Sequence, residues 1–225
     1  MLPFRIKICG ITTIQDVITC HQAGAEAIGL NFVKMSPRYV SPKVARDICE
    51  TLPPDIHRIG VFVNSEPSEI LQTFTTAELT GVQLHGDEPI ELVKVLREQL
   101  PAEAPIIKAF RLKEPNLVVV EDYLKGGNSH ENWPDAILVD AYAPEAYGGT
   151  GKRLDWQQLS QQRKTVPLPI ILAGGLTPEN IGEAIRQSGC LAVDTASGVE
   201  STPPHKDAEK VNAFIQNAKV ALGIE

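Results

Sequence analysis

The sequence contains eight short, continuously apolar runs, and stretches with helical signals separate them. Successive runs begin about 20 to 33 residues apart, which leaves room for one strand, one loop and one helix in each interval. Runs that do not alternate with polar residues are typical of parallel strands covered on both faces. The predicted strands are residues 6–9, 27–32, 58–63, 81–84, 106–110, 136–140, 169–173 and 191–194.

The intervening stretches carry the start and stop signals of helices. Thr13 and Asp16 form a capping pattern, and Gly24 is a typical residue just beyond a helix end. A final helix is predicted over residues 206–222, where apolar residues recur at helical spacing. Three further dipeptides predict helices with proline in the first turn: Ser41-Pro42, Glu66-Pro67 and Glu88-Pro89. The same signature at Thr177-Pro178 precedes a helix predicted over residues 181–187.

This alternation predicts an α/β protein, a single (β/α)8 barrel of the TIM type that forms one domain over residues 1–225. A doubly wound open sheet is the alternative fold. The dinucleotide-binding version of that sheet is disfavoured, because no G-x-G-x-x-G segment follows the first strand.

The net charge narrows the class of partner. Lysine and arginine total 21 against 28 aspartate and glutamate residues, a formal charge of −7. Nucleic acids and anionic membrane surfaces need a basic face, so neither is expected as a partner. The apolar runs are also far shorter than the roughly 20 residues that span a bilayer. An anionic small molecule would be bound by local donors such as helix N-termini and single arginines.

The cysteines predict neither a metal site nor a disulfide framework. None of Cys9, Cys20, Cys49 and Cys190 shows C-x-x-C spacing, and no histidine cluster accompanies them. The first ten residues show no secretory signal. We therefore expect no bound metal, free thiols and a cytoplasmic location.

Small residues follow the predicted seventh and eighth strands, at the end of a barrel where active sites form. Their backbone N–H groups are suited to binding a phosphate. We predict that the phosphate end of a substrate contacts Gly174, Gly175, Asp194, Ser197 and Gly198. The structural alternative is that the glycines only form tight turns. Another glycine-rich segment, 148–151, follows the sixth strand and is as consistent with a lid as with an anion contact.

Single polar side chains end or follow four other strands. Cys9 ends the first strand and Asp140 the sixth, so in a barrel they would flank a ligand whose phosphate lies at strands seven and eight. A thiol and a carboxyl group placed in this way suit proton abstraction and proton donation. The alternatives are a packing role for Cys9 and a capping or loop-tethering role for Asp140.

Arg38 and His85 lie in loops on the other side of the first strand. Arg38 is either a solvated loop cation or the partner of a substrate carboxylate at the end far from the phosphate. His85 either orients the substrate or braces its loop.

Seven segments together resemble the phosphoribosylanthranilate isomerase family of tryptophan biosynthesis. They occur in the family's order and spacing from residue 6 to about residue 200. The segments are Lys7-Ile8-Cys9-Gly10-Ile11-Thr12, Phe32 with Ser36-Pro37-Arg38, Val82-Gln83-Leu84-His85-Gly86, Val139-Asp140, Gly148-Gly149-Thr150-Gly151, Ala173-Gly174-Gly175-Leu176 and Ser197-Gly198-Val199-Glu200.

The resemblance implies a (β/α)8 barrel and a cofactor-free Amadori rearrangement, in which an aldose–ketose isomerase acts on a phosphorylated small molecule. It implies that the Cys9 thiolate removes the proton from C2 of the ribose and that Asp140 protonates the ring oxygen. Arg38 would hold the anthranilate carboxylate, and His85 would also contact the substrate. Monomer and homodimer both remain open.

One residue departs from the family pattern, because Ala196 stands where the strand-eight segment usually has a serine. Two other functions remain as alternatives. One is another phosphate-binding barrel enzyme of sugar-phosphate metabolism, such as the histidine-pathway isomerase or indole-glycerol-phosphate synthase. The other is a barrel that binds a phosphorylated ligand without converting it.

Overall fold

Eight parallel strands close into a barrel in the order of the chain, and β8 pairs with β1. This computed structural model describes residues 4–112, 114, 116–127, 130–141 and 155–224. The closed ring confirms the (β/α)8 prediction and excludes the open doubly wound sheet. The strands are β1 Ile6–Cys9, β2 Ala27–Asn31, β3 His57–Phe62, β4 Gly81–Leu84, β5 Ile106–Leu112, β6 Ala136–Ala141, β7 Ile170–Ala173 and β8 Ala192–Thr195.

A helix follows each strand, and the predicted caps hold for the first two. The Thr13 hydroxyl accepts a hydrogen bond from the backbone N–H of Asp16, and Gly24 takes the left-handed conformation beyond α1. Ser41 caps α2 in the same way. The helices are α1 Ile14–Ala23, α2 Pro42–Cys49, α3 Pro67–Thr76, α4 Ile90–Arg97, α5 Val118–Lys125, α6 Trp156–Gln162, α7 Ile181–Ser188 and α8 Ala208–Leu222.

Two helices, α4 and α8, start later than the proline and apolar signals predict, whereas α7 begins at the predicted residue 181. Pro89 caps α4 rather than occupying its first turn. Before α7, Oδ1 of Asn180 accepts from the N–H of Thr177 and its Nδ2 donates to the Gly175 carbonyl, so residues 177–180 form a separate turn. The Asp207 carboxylate caps α8, which therefore begins after residue 206.

The strands carry two apolar layers because successive side chains point to opposite faces. One set packs inside the barrel, and the other packs between the barrel and the helices. The inner set consists of Phe4, Ala27, Ile59, Ile107, Ala109, Ala136, Leu138, Ile171, Ala173 and Ala192. The positions that face the interior continue to the C-terminal end of each strand. The last inward-facing side chains therefore lie at the mouth of the barrel.

Candidate active site

The thiol of Cys9 lies at the end of β1, partly exposed at the mouth, and fits there because the neighbouring strand has no side chain beside it. Gly29 of β2 is its register partner. A Cβ on Gly29 would lie 2.6 Å from the Cys9 sulfur, so only glycine leaves room for it. Burial raises the pKa of the Cys9 thiol, and the Asp194 charge adds to this, while the ammonium groups of Lys7 and Lys206 lower it.

A buried ion pair lies one layer below Cys9. Nζ of Lys7 donates to Oδ1 of Asp194 at 3.0 Å, and the Lys7 side chain is 0% exposed. Burial alone would lower the pKa of Lys7, but Asp194 and Cys9 outweigh it, so the pKa is raised and the group stays an ammonium. For Asp194, burial is the largest influence and raises the pKa of the carboxyl group. The predicted phosphate residue Asp194 therefore faces the barrel interior.

Arg38 lies at the mouth beside β1, but its guanidinium does not point freely into solvent. Its Nε and Nη2 donate to the two carboxylate oxygens of Glu200 at 2.6 and 2.7 Å. Lys206 donates to the same carboxylate at 2.9 Å and to the Ala196 carbonyl at 3.0 Å. Burial would raise the pKa of Glu200, yet these two cations hold it below its ordinary value. Glu200 thus fixes the orientation of the Arg38 guanidinium through Nε and Nη2.

Asp140 is the last residue but one of β6 and lies on the opposite side of β7 and β8 from Cys9, as the barrel order requires. Its Oδ2 lies 3.4 Å from Nε2 of His85, the residue that follows β4. Nδ1 of His85 in turn lies 2.8 Å from the side-chain amide nitrogen of Gln83. These three side chains form a line from the interior of the barrel to its mouth.

The predicted phosphate loops contact each other closely. Gly174 and Gly175 both take positive φ angles, of 86° and 63°, which favour glycine. A Cβ on Gly198 would lie 1.8 Å from the Leu176 carbonyl oxygen, so glycine is required for this contact. Ser197 is exposed, and residues 197–199 form one short 3-10 turn directly after the eighth strand. The two loops present small residues and backbone groups on one side of the mouth.

A pocket of about 560 Å³ opens on the other side of the mouth, over β4 and β5. His85, Arg111 and Phe110 line it, together with the buried ion pair of Lys108 and Glu88. Glu88 also accepts hydrogen bonds from the N–H groups of Asn64 and Gly86, so the pair joins the loops after β3 and β4.

Sequence reasoning missed four residues that organise the mouth, namely Lys7, Gln83, Glu200 and Lys206. Lys7 and Gln83 could have been found from the sequence, because each is a charged or polar residue within an otherwise apolar strand. Glu200 and Lys206 carry no comparable signal, because only the closed barrel brings them to Arg38 from a distant part of the chain. The segment 148–151 lies outside the described residues. In the part of the chain that is described, no three acidic, histidine or cysteine side chains group as metal ligands, and no helix is long and apolar enough to cross a bilayer.

Comparison with known proteins bears on this site. Residues 6–217 match the family model described as N-(5'-phosphoribosyl)anthranilate (PRA) isomerase. The chain belongs to this family. The isomerase of that name from Trichlorobacter lovleyi is 43% identical over 97% of this chain and 99% of its own.

Solved structures of the family have the same barrel. The phosphoribosyl anthranilate isomerase of Thermotoga maritima aligns with a TM-score of 0.83 and 40% identity, covering 96% of this chain and 99% of that one. A second isomerase structure, with a TM-score of 0.80 and 38% identity over 96% and 99% of the two chains, holds reduced 1-(o-carboxyphenylamino)-1-deoxyribulose 5-phosphate. The family membership makes the chain an isomerase.

Proposed function

We propose that this chain converts N-(5-phosphoribosyl)anthranilate to 1-(2-carboxyphenylamino)-1-deoxyribulose 5-phosphate in tryptophan biosynthesis. The observation that carries the proposal is the position of Cys9 and Asp140 on opposite sides of the β7–β8 loops. A phosphate bound at those loops would place the ribose between the thiol and the carboxyl group. The same compound in reduced form is bound to a solved isomerase of the family.

Two proton transfers account for the chemistry. Asp140 donates its proton to the ring oxygen, the C1–O bond breaks, and the nitrogen lone pair forms a Schiff base with C1. The Cys9 thiolate then removes the C2 proton, and the electron pair of that bond moves into an enolamine. Protonation at C1 and loss of the O2 proton give the ketone. No external oxidant is needed, because C1 is reduced as C2 is oxidised, and this makes the enzyme an intramolecular oxidoreductase.

Lys7 and Lys206 support the base in this scheme. Burial disfavours the Cys9 thiolate, and the two ammonium groups oppose that effect. Because the net shift of the Cys9 pKa is upward, the fraction of thiolate increases as pH rises through and above neutrality. We therefore expect alkylation of Cys9 by a thiol reagent, which needs the thiolate alone, to become faster from pH 7 to pH 9.

The remaining predicted residues bind the two ends of the substrate. Nη1 of Arg38 is proposed to pair with the anthranilate carboxylate, while Glu200 fixes the guanidinium. Gly174, Gly175, Ser197 and Gly198 are proposed to hold the phosphate through backbone donors, and His85 to contact the substrate beside Asp140. Asp194 contributes from below the mouth, through its ion pair with Lys7.

Several broader features belong to the same proposal. Residues 1–225 form one barrel domain that needs neither metal nor cofactor and works as a monomer or a homodimer in the cytoplasm. Four cysteines without a disulfide suit a reducing compartment. One solved relative consists of monomers generated from the dimeric Thermotoga maritima enzyme, which supports keeping both oligomeric states in the proposal.

The test follows the fluorescence of phosphoribosylanthranilate made in situ from anthranilate and phosphoribosyl pyrophosphate. Wild type should consume it rapidly, and Cys9→Ser and Asp140→Asn should each lower kcat by about 10²- to 10⁴-fold, the usual effect of removing a general acid or base. A loss below tenfold in either variant would refute the role of that residue. Absence of turnover by the wild type would refute the function.

A further inference from the structure

Gln83 is a buried polar residue for which the mechanism above has no use. Its side chain lies inside the barrel on β4 and is 0% exposed. Burying an amide costs free energy unless hydrogen bonds compensate for it. Yet its Oε1 has no hydrogen-bond partner among the described residues. An aliphatic side chain would fill this position more favourably, as Ile107 does on the adjacent strand.

The one polar contact of Gln83 determines where the proton of a neutral His85 lies. Gln83 Nε2 is a donor, and at 2.8 Å it donates to Nδ1 of the imidazole. A neutral imidazole that accepts at Nδ1 must carry its hydrogen on Nε2. This nitrogen faces Oδ2 of Asp140 at 3.4 Å and makes no hydrogen bond among the described residues, so the two side chains must come slightly closer for Nε2–H to donate.

We propose that Gln83 is a positioning residue that holds His85 in the Nε2–H tautomer and thereby keeps the acidic proton of Asp140 on Oδ1, directed at the substrate. The inference rests on the proposed role of Asp140. A protonated carboxyl group has one oxygen that donates and one that accepts. With Nε2–H donating to Oδ2, the proton stays on the other oxygen. The opposite tautomer would present a lone pair to Oδ2 and attract the proton away from the ring oxygen of the substrate.

The charged groups around the imidazole are compatible with this role. Asp140 of β6 faces Nε2, and a charge on Asp140 raises the pKa of Asp194 of β8, so the three groups lie near one another. On β5, Lys108 is occupied by Glu88 and the Gly86 carbonyl, so its charge is already compensated. Arg111 is the register partner of Asp140 and lies at the rim of the same pocket, where Asp87 is also found. None of these groups takes the place of Gln83 at Nδ1 among the described residues.

Two substitutions of similar size separate this role from simple packing. Gln83→Met removes the donor and leaves both tautomers accessible. Gln83→Glu places a carboxylate at Nδ1, which favours either Nδ1–H or an imidazolium, and an imidazolium would hold Asp140 as the anion. We expect kcat to fall about tenfold for Gln83→Met and about 100-fold for Gln83→Glu at pH 8, within the range of acid–base effects.

The pH dependence of Gln83→Glu provides a readout that packing would not produce. An imidazole is a stronger base than a carboxylate, so a proton taken up as the pH falls goes to the imidazole of His85, where the new carboxylate stabilises it. The ratio of Gln83→Glu to wild-type kcat should therefore fall at least about fivefold between pH 8 and pH 6, because the imidazolium holds Asp140 as the anion. A ratio that stays constant over this range, or wild-type kcat and pH profile in Gln83→Met, would overturn the proposal.

The tautomer can also be measured directly in the wild type, so the test does not depend on the folding of a variant. Imidazole 15N shifts distinguish a protonated from an unprotonated ring nitrogen, and loss of the signals in His85→Asn assigns them. We expect Nε2–H for His85, and Nδ1–H would overturn the proposal. This result is independent of turnover. A wild type that carries Nε2–H but does not consume the substrate would refute the proposed function alone.

Discussion

Substitution of Gly29 by alanine tests whether the position of the Cys9 sulfur limits catalysis. The added Cβ would lie 2.6 Å from the sulfur and 3.0 Å from the Cys9 Cα. Since favourable contacts of this kind are about 3.5–4.0 Å, the sulfur or its strand must move by about 1 Å. Gly29 lies in a strand, and its φ is not among the positive values. Alanine therefore fits its backbone conformation, and the effect is steric.

A 1 Å displacement of a reacting group costs on the order of 10²-fold in rate. We expect Gly29→Ala to lower kcat by about that factor, because the thiolate no longer reaches the C2 proton in line, and to change KM little, because the β7–β8 loops and Arg38 are not touched. Overpacking of this kind also lowers the free energy of unfolding by about 1–3 kcal/mol. Steady-state kinetics and urea unfolding measure the two effects separately.

The Cys9→Ala background supplies the control for stability. Without the sulfur, the 2.6 Å contact is absent, so Gly29→Ala should cost less unfolding free energy there than in wild type. An equal cost in both backgrounds would show that the overlap is with the backbone of β1 instead. A kcat within threefold of wild type in Gly29→Ala would refute the reasoning that the thiol position is fixed by the missing side chain.

Two other changes follow from the site. Ala196→Ser restores the hydroxyl that the family usually has just before the turn of residues 197–199. We expect KM to fall by about fivefold with kcat unchanged, because one added hydrogen bond to the phosphate contributes about 1 kcal/mol. An unchanged KM would show that residue 196 makes no phosphate contact. Glu88→Gln leaves the buried ammonium of Lys108 without its partner and should cost about 3 kcal/mol of unfolding free energy at pH 7. Burial would raise the pKa of Glu88, but hydrogen bonds from Lys108 and two backbone N–H groups outweigh it and lower that pKa. The Glu88 carboxylate therefore stabilises the fold fully at pH values above its pKa in the unfolded chain, and this stabilisation is lost as the pH falls through its lower pKa in the folded protein. Urea unfolding should therefore show a smaller difference between Glu88→Gln and wild type at pH 3 than at pH 7, and an equal difference at both would contradict the assignment.

The fold could be predicted from the sequence because each of its signals is local. Strand β1 and strand β4 have the predicted bounds, since buried apolar runs end where polar or glycine residues begin. The errors are also local. α8 begins at Ala208 rather than at residue 206, because the Asp207 carboxylate accepts from the N–H groups of Glu209 and Lys210 and caps the helix there.

The positions of Cys9 and Asp140 at the barrel mouth also followed from the sequence, since strand order and strand ends determine them. The polar groups that act on them did not. Lys7 and Gln83 stand out as polar residues in apolar strands, but whether such a residue meets a partner depends on the register between strands. That register places Lys7 beside Asp194, 187 positions further along the chain.

The positions of the charged groups bear on how an acidic chain could bind a substrate with two anionic groups, a phosphate and a carboxylate. Lys7 is matched by Asp194, but Arg38 and Lys206 share the single carboxylate of Glu200, so this group of three keeps one positive charge. The formal charge of −7 belongs to the whole chain and does not describe this part of the mouth. In the proposed binding mode the positive charge lies beside the anthranilate carboxylate, and the phosphate is bound by backbone N–H groups of the loops after β7 and β8, which carry no net charge. The carboxylates also fix geometry, because Glu200 holds one edge of the Arg38 guanidinium and Asp194 holds Lys7 beneath the thiol.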